Sequence, residues 1–288
     1  MRTSIVFVLL AGAVVGLQAV HEARGGPPAS TTTELLYVRS PEAMKRIALS
    51  YDALVADLYW IRAIQHYGGT KLSNDPNKKY DLLYPLLDLT TSLDSRINVA
   101  YYFGAVFLSE APPGGPGRPD LAIELLQKGL RAQPERWEFV QAIGFVHYWS
   151  RHDYIEAATW FQKAAEFPNA PVWMAPLAAT TLAQGGNRAS SRVLWQQVAK
   201  TADLEWFRVE AQRRLLQLDA MDQIDRLQAF VSTSGTLPRV ADPTGTPYVL
   251  DRGVFTVDRR SKLFPLPTES TPKAPPLPGP LPPASAPQ

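Results

Sequence analysis

Four histidines, no cysteine and a scatter of carboxylates set the limits on the chemistry this chain can carry. An acid, a cation and an imidazole come together in Tyr51–Tyr67, where Asp57, Arg62 and His66 could line a polar cleft of an envelope hydrolase or lyase. The polar positions of that stretch (52, 57, 62, 65 and 66) spread around the helical wheel instead of forming one stripe, which fits a helix sandwiched between neighbours better. His147 and His152 are five apart, so on a helix they diverge by about 140° and share no ligand face. Without cysteine there is no thiol nucleophile, Cys-based zinc site or iron–sulfur cluster. No Gly-x-Ser-x-Gly elbow, phosphate loop, dinucleotide fingerprint or His-Glu-x-x-His pair occurs either. The expectation is a non-enzymatic protein with no cofactor and no resident metal.

Charge narrows the partners. Lys and Arg total 29 against 27 for Asp and Glu, a net of +2 over 288 residues, so no concentrated basic face is available for nucleic acid. The N-terminus carries a different signal. Arg2 precedes an uncharged run over residues 4–20 centred on Ile5-Val6-Phe7-Val8-Leu9-Leu10, the pattern of an export leader. The run lies between a signal core and a comfortable bilayer span, and cleavage after Ala19 or Ala23 would place Leu17 or His21 at the −3 position. Residues 1–24 therefore read as a signal peptide or an uncleaved signal anchor, which in the second case ties the chain to a membrane through residues 4–20.

Residues 25–34, beginning Gly25-Gly26-Pro27-Pro28, read as a flexible linker. From there to residue 233 the apolar pattern is helical, broken at Gly, Pro and Asn. Two β-prone runs, Tyr248–Leu250 and Val254–Val257, flank Asp251-Arg252-Gly253 and predict a turn and β-hairpin cap within 234–260. Its Asp242-Pro243-x-Gly245-x-Pro247-Tyr248 segment resembles the C-terminal strand motif of secretion pseudopilins over less than a tenth of the chain, without the pilin N-terminal helix. Residues 261–288 are proline-rich, with ten prolines from Pro265 onward, and predict a disordered, solvated tail.

The helical body repeats. Ile143-Gly144 and His147-Tyr148-Trp149 are followed by Ala157, Phe161, Ala164 and a closing Pro168. Upstream, Phe103-Gly104 and Phe107 precede Ala122, Leu126, Gly129 and Pro134, with Pro112–Gly117 inserted in the turn. Downstream, Leu177-Ala178 precedes Ser190 and Leu194 across a Gly185-Gly186-Asn187 turn, and Pro176 predicts a late helix start or a kink. Residues 51–67 with 80–93, and 204–218 with 221–231, predict two further helix pairs. Small Gly144 and Ala157 would let two helices approach while Phe161 fills the space between them.

This pattern resembles the tetratricopeptide repeat (TPR) family, best in the 143–168 unit. The resemblance implies an all-α, TPR-like solenoid of helical hairpins, and an exported bacterial envelope protein acting as a scaffold or adaptor, as in assembly of a membrane or secretion complex. It places the protein on the periplasmic side, tethered to the inner membrane or soluble after signal cleavage. It also implies a concave groove, formed by the first helix of each pair, that takes a protein or peptide partner. By position that face nominates Asn98, Tyr101, Glu138, Gln141, Phe145 and Tyr148. The Lys/Asn clamp by which some TPR domains hold a C-terminal carboxylate is not matched. Most tryptophans are expected between helices, with Tyr148 and Trp149 as exceptions.

Overall fold

The structure is a computed structural model that describes residues 40–234, 239–251 and 253–269, together with positions 12, 16 and 20, which are helical. The rest of the expected leader, the expected 25–34 linker, residues 35–39 at the start of the expected helical body and residues 270–288 lie outside the described residues. Ten helices and one hairpin make up the described chain: α1 (Pro41–Ala48), α2 (Asp52–Leu72), α3 (Leu83–Leu93), α4 (Asn98–Ser109), α5 (Pro119–Ala132), α6 (Trp137–Val146), α7 (Tyr154–Ala165), α8 (Met174–Gln184), α9 (Arg188–Thr201), α10 (Glu205–Ser234), β1 (Tyr248–Asp251) and β2 (Val254–Val257). Among the described residues no helix is long and apolar enough to cross a membrane.

Local signals start these helices. Ser40 accepts from the Ala43 amide before α1, Asp153 from the Glu156 amide before α7, and Asn187 from the Ser190 amide before α9. Proline opens α1 and α5, where its missing N–H costs nothing. Pro176 likewise sits in the first turn of α8, which starts late, at Met174, instead of kinking. Each helix from α2 onward packs on the next in sequence. That order buries faces none could bury alone, in core clusters over α2–α6, α6–α8 and α8–α10.

Glycines set the tightest approaches. A Cβ on Gly144 would lie 2.5 Å from Phe161 Cε1, and one on Gly104 2.8 Å from Leu125 Cδ2 and 2.9 Å from Leu87 Cδ2. α6 thus meets α7, and α4 meets α3 and α5, with no room for a methyl group.

Three expectations need correction. The pair predicted over 204–218 and 221–231 is a single helix, α10. Neither Gly nor Pro separates Leu218 from Met221, and Leu218, Ala220 and Met221 are all buried, so nothing stops the helix there. α2 is not sandwiched: Ala56, Tyr59, Ala63 and Tyr67 are buried, while Leu54, Leu58 and Ile61 stand exposed on its other side. The folded body also runs past 260. Ser261 and Leu263 are buried, and buried Gln217 donates through Nε2 to the carbonyls of Leu263 (2.7 Å) and Pro265 (2.8 Å). Residues 261–269 therefore form a strap on α10, and the expected tail shortens to residues 270–288.

The hairpin forms as the β-prone runs predict, with Tyr248 opposite Val257 and Gly253 in the turn at φ +85°. Val257, Leu263 and Ala220 share a small core that joins the hairpin and strap to α10. The Asp242 side chain organises the preceding loop by accepting from the amides of Thr244 (2.8 Å) and Thr246 (3.1 Å).

Candidate partner-binding groove

α4 and α6 are the first helices of successive pairs and they touch each other. On α4, Tyr102, Ala105, Val106 and Ser109 fall at i, i+3, i+4 and i+7, which is one helical face. On α6, Glu138, Gln141, Ala142 and Phe145 form the matching face, and Trp149 continues it. The long turn after α4 contributes Pro112, Pro116 and Gly117 as a side wall. Together these surfaces bound a groove of about 950 Å3. Its lining is mostly apolar, and its polar side chains are those of Ser109, Glu110, Glu138, Gln141, Ser150, Arg151 and His152, with the Tyr102 phenol. Polar groups set on a mostly apolar concavity are the usual make-up of a binding site.

The end of the groove is built on irregular backbone. After Val146 the chain passes into a π-helical turn, His147–Arg151, and His152 closes it in the left-handed region at φ 53°. Isolated π segments recur at functional sites because they re-aim side chains out of α-helical register. Here the turn leaves Trp149 67% exposed, beside the groove. It also buries polar atoms without partners: His147 Nδ1 and Arg151 Nε, like the Tyr102 hydroxyl on α4, have no hydrogen-bond partner. Burial, then the Arg151 charge, pushes the His147 imidazole below its ordinary range, so it is neutral at physiological pH. Burial, then the nearby Glu138 carboxylate, pushes the Tyr102 phenol upward, so it stays a donor.

At the far corner Glu110 is clamped between α4 and α2. Lys71 Nζ donates to both of its oxygens (2.6 and 2.8 Å), and the Tyr67 hydroxyl donates as well. Those bonds, Lys71's first, hold the Glu110 carboxyl below its ordinary range.

Of the six nominated residues, Glu138, Gln141 and Phe145 line the groove, and the other three do not. Tyr101 is 0% exposed, its ring 5.2 Å from that of Phe139; it is a core residue, and that corrects its nomination. Successive helical residues point about 100° apart, so Tyr102 takes the groove and Tyr101 the interior. Asn98 sits at the start of α4, where its Oδ1 accepts from Gln133 Nε2 at 2.8 Å. Tyr148 turns toward α8 and donates to Gln184 Oε1 at 2.7 Å. Tyr102, Val106, Trp149 and Arg151 were missed as groove residues. The readable hint was the Pro112–Gly117 insertion, which announces a wall beside α4.

The enzymatic alternative gains no geometry. Asp57 and His66 are nine residues apart on α2, which puts them about 180° from each other. Asp57 is exposed and His66 half-buried, its imidazole pushed down by burial against the opposing charge of Asp81. Among the described residues no group of three His, Asp or Glu side chains could hold a metal ion. Compared with known proteins, the chain matches no family model, and no curated protein or solved structure is significantly similar to it.

Proposed function

We propose that this chain is a non-enzymatic scaffold or adaptor of the TPR type that captures an extended, apolar protein segment in the α4–α6 groove. The observation that carries the reading is the groove itself, about 950 Å3 with a mostly apolar lining, between the first helices of two successive pairs. One of those pairs, α6–α7, carries the Gly144–Ala157–Phe161 pattern on which the TPR resemblance rests. The leader over 4–20 supports action in a bacterial cell envelope, on the periplasmic side, tethered or soluble according to the fate of that leader. The exposed Ile47, Leu49, Leu54 and Leu58 on and beside α1 and α2, the elements next after the leader and linker, suit a position close to a membrane surface.

Val106 and Trp149 are the anchors to test, because both are largely exposed and line the groove. A desolvated aromatic anchor commonly carries about 2 kcal/mol or more of binding, roughly thirtyfold in affinity. Val106→Glu and Trp149→Ala should each weaken capture of the native partner while the helical circular dichroism and melting point stay close to wild type. Undiminished capture by both variants would remove the groove from the function.

A further inference from the structure

We propose that the resident occupant of the groove is the chain's own tail, residues 270–288, lying there in cis as a polyproline II segment that an external partner must displace. The inference rests on the groove being the capture site, and it adds the ligand class and the regulation.

Three observations point to this occupant. The first is where the described chain ends. Glu269, its last residue, is paired with Arg188, which donates to both carboxylate oxygens. Arg188 opens α9 just after the tight Gly185-Gly186-Asn187 turn. Gln184 on the other side of that turn accepts the Tyr148 hydroxyl, next to Trp149 at the groove's end. The described chain thus ends at the start of α9, and the residues beyond it, at about 3.1 Å each as polyproline II, would span roughly 60 Å, long enough to cross from α9 to the groove.

The second observation is length. Along α6 the groove runs from Glu138 to Trp149, roughly 17 Å at about 1.5 Å per residue. Five or six polyproline II residues fill that distance, and the Pro275–Pro283 stretch supplies them with residues to spare. Pro275-Pro276-Leu277-Pro278 and Pro280-Leu281-Pro282-Pro283 each place prolines three apart, on one edge of a three-residue-per-turn helix.

The third is chemistry. Proline-rich segments dock on aromatic-lined grooves, and this one offers Tyr102, Phe145 and Trp149 with Pro112 and Pro116 opposite. A proline residue presents a carbonyl but no N–H, so such a ligand is rich in acceptors and poor in donors. The groove holds donors to match: the Gln141 amide and the Arg151 guanidinium. The one charged side chain beyond Glu269 is Lys273, and the two carboxylates that line the groove are already paired, Glu110 with Lys71 and Glu138 with Arg136 at 3.5 Å.

The absence of native cysteine makes the test direct. Nitroxides are placed on Glu135→Cys, in the exposed turn before α6, and on Ala284→Cys, just past the second proline run, in the full chain. Pulsed dipolar spectroscopy should give a short, narrow distance that dilution with unlabelled chain does not change. Trp149→Ala, or serine in place of Pro280, Pro282 and Pro283, should broaden it. A broad distribution overturns the proposal. A narrow one indifferent to both variants also overturns it, because the tail then docks elsewhere. A short distance lost on dilution means the tail enters a second copy, which overturns the cis arrangement. These readouts involve no partner, whereas capture by Val106→Glu involves no change in the tail, so either reading can fail alone.

Discussion

Replacing Gly144 by alanine puts a methyl group 2.5 Å from Phe161 Cε1, 2.7 Å from Cδ1 and 3.2 Å from the Ala157 carbonyl oxygen. Carbon atoms pack at about 3.5–4.0 Å, so the ring or the helix must yield by roughly 1 Å. Phe161 has nowhere to go: it is 0% exposed and already edge-on to Phe145 at 5.1 Å. Overpacking of this kind costs about 1–3 kcal/mol, against the roughly 1 kcal/mol that alanine gains over glycine in a helix. The net loss should be on the order of 1 kcal/mol, a fall of about 2–4 °C in melting temperature for a body this size. Phe161→Leu removes the ring edge that collides. The double variant should therefore lose less than the sum of the single ones, by at least about 0.5 kcal/mol, the usual coupling between residues in contact. Urea unfolding followed by far-ultraviolet circular dichroism measures all three. If Gly144→Ala stabilised the chain by the helix-propensity gain, or the pair were additive, the close α6–α7 packing would be wrong.

Gln217→Leu should loosen the 261–269 strap, because the carbonyls of Leu263 and Pro265 lose a buried donor at about 1–3 kcal/mol for an unsatisfied group; limited proteolysis after Lys262 would register it. The Glu110 clamp predicts a pH dependence. Lys71, then Tyr67, lowers the folded-state pKa of Glu110 from an ordinary 4.5, so its stabilisation is complete above that value and fades as pH falls through the lower one. Protection factors of the amides at the end of α2, corrected for the intrinsic exchange rate at each pH, should fall on acidification below about pH 4.5 in the wild type, and the same fall in Glu110→Gln would assign it to another group.

The body's helices were legible where punctuation was strong. Asn187, Asp153 and the prolines of α1 and α5 mark starts, and Gly144 with Phe161 marks a contact, because these residue types have few alternative uses. α10 was misread because periodicity weakens around Asp219-Ala220 while nothing there breaks a helix. The strap was misread because a proline-rich composition describes average behaviour, whereas Leu263 and the carbonyls beside it dock through one buried glutamine. Of the nominated residues, Glu138, Gln141 and Phe145 on α6 line the groove, whereas on α4 it is Tyr102 that lines it and not Tyr101. A shift from Tyr101 to Tyr102 is invisible when both are tyrosines on an apolar helix. The π turn puts Trp149 beside the groove and Tyr148 toward α8, for a reason no α-helical wheel contains.

The most direct test of groove capture is site-specific photo-crosslinking in cells of the native host. A photoreactive phenylalanine analogue at Val106, inside the groove, is compared with one at Val209, equally exposed on α10. The account predicts one discrete partner crosslinked from position 106 and none from position 209, with the yield falling when Trp149→Ala is added. Equal crosslinking from both positions, or crosslinking from position 209 alone, would contradict it.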